Sequence, residues 1–185
     1  MAIRKVARMG HPVLRQPTRE LSREEIRAPE TRALVRDMIE TMHEYGGVGL
    51  AAPQVHEPVR LAVLEVDAES ARYPADDEQP LLVVFNAHVT VLDETPFGFW
   101  EGCLSVPGLR GYVERPSRIR VDYQDHEGEQ RALEAQGFIA TVFQHELDHL
   151  DGVLYVDKVK DPSRLAFIEE YQRYHMEAPQ PDPED

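Results

Sequence analysis

Gln144-His145-Glu146-Leu147-Asp148-His149 sets two histidines four residues apart, with a glutamate beside the first. On a helix such positions lie about 40° apart and one turn above each other, so both imidazoles can reach one ion. Glu146 falls about 100° round the helix from His145, beside such an ion, where it can take a proton from ion-bound water. The surrounding residues predict that helix. Phe138, Ile139, Val142, Phe143, Leu147 and Leu150 cover most of its circumference, the pattern of a buried element. Two histidines and a glutamate inside it cost several kcal/mol unless paired or ligated. The plainer reading is a buried helix whose polar groups only hydrogen-bond their neighbours.

A catalytic ion of the zinc type needs a third protein ligand and an open position for water. Cys103, the single cysteine, stands in Trp100-Glu101-Gly102-Cys103-Leu104-Ser105-Val106-Pro107, where the glycine lets the backbone approach a ligand closely. A lone cysteine is otherwise most often a small buried hydrophobe. Glu169 or Glu170, beyond the second histidine, is the competing ligand and would suit a metallopeptidase. The surface there, with Gln172 and Arg173, reads as a solvated face. His11, His43, His56, His88, His126 and His175 stand singly among polar or loop residues.

These groups need elements to hold them. Residues 1–30 mix Pro12, Pro17 and Pro29 with charges and read as an irregular lead-in. A helix is predicted from Pro29 to Tyr45, with Met38, Thr41, Met42 and Tyr45 on one face and Gly46-Gly47 as its stop. Strands are predicted at 59–66, 81–85, 89–93, 97–101, 111–114, 118–123 and 130–136, with an acidic loop at 67–80 and a turn at 125–129. The histidine helix spans 138–150. A last helix is predicted from Pro162 to Tyr174, capped by Asp161. The class is α+β: short antiparallel sheets around a buried central helix, with N- and C-terminal helices, in one domain over 1–175. The acidic, proline-rich segment 176–185 reads as a disordered tail.

The 185 residues suit a single domain, and 42% of them are hydrophobic, enough for a sizeable core. With 34 acids against 20 bases the net charge is −14, which repels phosphate backbones and anionic bilayers. Neither nucleic acid nor a membrane is expected as a partner. One cysteine allows no internal disulfide, and Met1-Ala2-Ile3-Arg4-Lys5 leads into no apolar stretch, so a cytoplasmic location is expected.

Three segments together resemble the signature motifs of the peptide deformylases: Gly47-Val48-Gly49-Leu50-Ala51-Ala52-Pro53-Gln54, Glu101-Gly102-Cys103-Leu104-Ser105, and the histidine motif at 144–149. They stand in that family's order. The resemblance implies that Cys103, His145 and His149 hold one divalent ion, Fe2+ first, with Zn2+, Ni2+ or Co2+ as alternatives. It implies that Glu146 is the general base and then acid, and that the Gln54 amide and Leu104 N–H bind the oxyanion. Val48, Gly49 and Gly102 would pair with the substrate backbone, while Val48, Phe138, Thr141 and Val142 match the methionine pocket. Arg110 and Arg115 match arginines that follow the cysteine motif, with a surface ion pair as the plainer role for both. The reaction implied is removal of the formyl group from N-formylmethionyl nascent peptides, with release of formate.

Bacterial members often carry a basic C-terminal helix that docks on the ribosome, and Glu169-Glu170-Tyr171-Gln172-Arg173 does not resemble one. Ribosome encounter is then expected to be transient. Two other functions stay open at this point: a metallopeptidase using Glu169 or Glu170, and a non-catalytic module that binds formylated peptides.

Overall fold

A computed structural model describes residues 2–66 and 78–176. Most of the acidic loop expected at 67–80, and all but the first residue of the tail at 176–185, lie outside the described residues. The lead-in carries more structure than expected. It holds a single 3-10 turn at Pro12–Arg15 and the short helix α1, Arg23–Arg27. Ser22 caps α1 reciprocally: its hydroxyl accepts from the Glu25 N–H and its own N–H donates to the Glu25 carboxylate. Helix α2, Pro29–Glu44, starts on a proline and buries Met38, Thr41 and Met42. Tyr45 falls just past its end and is exposed, so it does not share their face. Gly46, at φ +64°, turns the chain out of the helix, a conformation in which a side chain would be strained.

The strands form one antiparallel sheet in the order β1 (Gly49–Ala51), β2 (Leu61–Val66), β3 (Gln79–Cys103), β4 (Val106–Gln124) and β5 (Gln130–Gln136), with β6 (Leu165–Phe167) added to β4. Where several short strands were expected, β3 and β4 run as two long ones. Pro96 and Pro116 sit opposite each other in a ladder that slips register on either side of Asp93. Bulges of that kind accommodate prolines, so the pairing resumes beyond them. The helix expected from Pro162 is shorter for a related reason. Asp161 does cap a turn, accepting from the Ser163 N–H, but that turn ends at Arg164. Leu165–Phe167 then pairs with Leu109–Gly111 before α4 begins, Ile168–Tyr174.

Residues alternate along β2 between two cores. Ala62, Leu64 and Val66 face α3 (Gly137–Leu150) with Ile119, Val121, Phe143 and Leu147, while Leu61 and Val63 join Met38, Met42 and Phe85 against α2. The strand is therefore apolar on both faces. In α3, 11 of 14 residues are buried, which makes it the central element of the fold. Among the described residues, no helix is long and apolar enough to cross a membrane.

Candidate metal centre

The turn joining β3 to β4 is only two residues long: Cys103 ends β3, and Val106 pairs straight back with it. That turn presents Cys103 to the buried histidines of α3. The ligand atoms of Cys103, His145 and His149 lie within 4.8 Å of one another, with Cys103 Sγ 3.2 Å from His149 Nε2. Glu169 and Glu170 are exposed on α4 and are not part of this cluster.

Each side chain around the cluster is held from behind. His145 Nδ1 lies 2.7 Å from Glu101 Oε2, which leaves Nε2 for an ion. Arg115 donates to both oxygens of Glu101, at 2.6 and 3.0 Å, and to Asp148 at 2.7 Å. Arg115 is 2% exposed, so the surface ion pair considered for it is instead a buried link between β3, β4 and α3. From the 3-10 turn Ala52–Val55, Gln54 accepts from the Ala51 N–H at 2.8 Å. Its amide nitrogen is thereby aimed at Ser105 Oγ (3.2 Å) and Cys103 Sγ (3.5 Å).

The protonation states follow from these contacts. Burial would raise the Glu101 carboxyl, but the hydrogen bonds from His145 and Arg115 outweigh it and hold it down at about 2. Burial likewise opposes a charge on His145, yet Cys103 and Glu101 raise it in the ion-free chain. His149 is lowered by burial and by His145. Burial pushes Glu146 up to about 7, with the positive charge at His145 pulling the other way.

Two buried atoms of the cluster, Glu146 Oε2 and His149 Nδ1, have no hydrogen-bond partner among the described residues. An unpartnered buried carboxylate oxygen costs about 1–3 kcal/mol or more. One thiol and two imidazoles in reach of a single point, with a carboxylate left free beside them, fit a borderline-soft divalent ion and an acceptor for its water.

A small apolar pocket of about 70 Å3 adjoins the cluster. Val48, Gly102, Phe138, Thr141 and Val142 line it, as does Glu146, and so do Phe99 and Trp100, which sequence reasoning did not single out. Gly49 backs onto Glu146: a Cβ there would fall 2.5 Å from the glutamate side chain. Leu104 follows Cys103 in the turn and packs against Gly47. Arg110 does not line the apolar pocket. Its guanidinium covers Gly102, where a Cβ would meet Nη1 at 1.4 Å. Glu101 and Ser105 were also missed as site residues. Their signal was position, two residues on either side of Cys103 along the same strand and turn.

Residues 3–165 match the family model described as polypeptide deformylase. A peptide deformylase of Leptospira biflexa is 44% identical over 170 residues, covering 92% of this chain and 95% of that protein. Among solved structures, a Met-Ala-Ser-bound class I type b peptide deformylase from Acinetobacter baumannii superimposes with a TM-score of 0.81 at 35% identity, covering 85% of this chain and 98% of that one. The peptide deformylase of Thermotoga maritima gives 0.76 at 35% identity, over 87% and 100%.

Proposed function

Because the chain belongs to the polypeptide deformylase family, we propose that it is the hydrolase that removes the formyl group from N-formylmethionyl nascent peptides, with Cys103, His145 and His149 holding one divalent ion. The observation that carries this reading is a cluster of half-buried Cys103 with buried His145 and His149, and an unpartnered glutamate oxygen beside it. The ion, when bound, supplies a water acidic enough to attack at neutral pH. We assign it as Fe2+, since a thiolate beside two imidazoles suits a softer ion.

Glu146 Oε2 would receive the proton given up by the water that attacks the formyl carbon. Its placement, buried and close to neutral pH in affinity, suits both taking that proton and returning it to the departing nitrogen. Gln54 Nε2 donates to the developing oxyanion, and the Leu104 N–H is the second donor. Because Ala51 fixes the other end of the Gln54 amide, this donor is pre-aimed, which is what makes such groups effective. The apolar pocket takes the methionine side chain, and the backbone at Val48, Gly49 and Gly102 pairs with the peptide as an added strand would. That a peptide beginning with methionine is bound by the Acinetobacter relative supports this placement. Glu169 and Glu170 stand on α4 against a single Arg173, so we assign α4 no ribosome contact, and we place the reaction in the cytoplasm.

The test is formate release from a formyl-Met tripeptide by protein purified anaerobically, with elemental analysis of the same preparation. Stoichiometric iron and steady turnover are expected. Glu146→Gln should keep the iron and lose turnover about 100-fold or more; wild-type turnover in that variant would overturn the assignment of the base. Cys103→Ser should lose both, and a fully loaded, active serine variant would return the metallopeptidase reading.

A further inference from the structure

A second and larger space reaches the same turn. It is a cavity of about 730 Å3, lined by Cys103 and Leu104 together with Lys5, Arg8 and Arg110. His11 and His56, edge to face with ring centres 4.7 Å apart, also line it, and among the described residues no aspartate or glutamate does. In a chain of net charge −14 this is an unusual place. Elsewhere the cations are mostly matched, as in Arg4 with Asp37 and Glu57, Arg60 with Asp151, or Arg131 with Asp125. Among the described residues, Lys5, Arg8 and Arg110 make no ion pair. Unmatched like charges converging on a concave space repel one another, and an anion entering it relieves that repulsion and gains from the focused field.

Geometry identifies the anion. The two cavities meet at Gly102, which lines the apolar pocket while Arg110, lining the basic cavity, lies directly over it. A peptide whose methionine fills the first must pass this point, and a space of 730 Å3 is sized for several atoms of side chain and backbone rather than for a lone ion. We propose that Lys5, Arg8 and Arg110 form a subsite for a carboxylate carried by the formylated peptide shortly after its methionine, so that nascent chains with acidic beginnings are the favoured substrates. The proposal rests on the deformylase reading above.

The experiment compares C-terminally amidated formyl-Met peptides with Glu, Gln or Lys walked through the next three positions, using the metal-loaded chain at low ionic strength. At one position the Glu peptide is expected to exceed the Gln peptide by about three- to tenfold in kcat/KM, mainly through KM, with Lys lowest. The Glu-to-Gln ratio should shrink as salt approaches about 0.5 M, and should fall towards one in a Lys5→Gln, Arg8→Gln double variant. If that variant does not fold, the salt titration of the native chain decides. Equal kcat/KM for Glu, Gln and Lys at every position, with formate still released, overturns the subsite and leaves the hydrolase standing. No formate from any peptide overturns the hydrolase reading and the subsite with it. A short RNA oligomer that binds only when Lys5 and Arg8 are intact, with no effect of peptide charge, assigns the cavity to phosphate and also overturns the proposal.

Discussion

Gln54 shows how one side chain is prepared by its neighbours. The Ala51 N–H occupies its carbonyl oxygen, so the amide nitrogen can only point towards Ser105 and Cys103. Gln54→Glu preserves shape and the contact with Ala51 but removes the donor. It should lower kcat about 100- to 1000-fold while KM and bound metal change little; an unchanged kcat would remove Gln54 from the oxyanion site. At this scale the histidines were legible because helical spacing alone brings i and i+4 together. The roles of Gln54 and Leu104 were approached only through resemblance. Glu101 offered only its position two residues before Cys103, and its role was not legible, since its partner His145 stands 44 positions away along the chain.

At the scale of elements, Arg115 on β4 ties β3 to α3 through Glu101 and Asp148. Arg115→Leu leaves Glu101 buried with only His145 to balance it. Breaking a buried pair in this way costs roughly 3–5 kcal/mol, and urea unfolding should show a loss of that size. Pairing it with Glu101→Gln should restore part of the loss, and full stability in the single variant would show that the link carries no load. Element boundaries were the least legible part of the chain. Pro96 and Pro116 each argue for a strand end when read alone, and only their opposition in one ladder lets β3 and β4 continue. Asp161 caps as expected but opens only a turn, because the edge of β4 captures Leu165–Phe167 before the expected helix can propagate. Alternating apolar and polar spacing could reveal neither outcome, because both depend on a partner strand.

For the whole molecule, a bound ion would join the end of β3 to the central helix, two parts that the chain connects only by a long path. The ion binds the folded arrangement and not the unfolded one, so removing it should lower stability. At a free concentration 100 times the Kd the difference is about 2.7 kcal/mol. For a chain of this length that corresponds to roughly 5–10 °C in Tm. Calorimetry of the loaded and chelator-stripped protein would check it, and identical melting would mean that the cluster does not hold an ion in the native state. Composition spoke at this scale as well: an α+β class and an acidic net charge were legible from patterning and residue counts. The local reversal of that charge around Lys5, Arg8 and Arg110 was not, because it arises where the N-terminal segment and the β3–β4 turn converge.

Trp100 forms part of the wall of the apolar pocket and rests against Tyr112, Tyr171 and His175, with ring centres 5.8, 5.3 and 4.8 Å away. It is also the only tryptophan in the chain. The protein therefore carries a built-in optical probe: its indole emission arises wholly at the rim of the apolar pocket, undiluted by any other fluorophore of that kind. A side chain entering the pocket displaces solvent from that ring and alters the emission, so substrate arrival and product departure can be followed in unlabelled protein on the timescale of mixing.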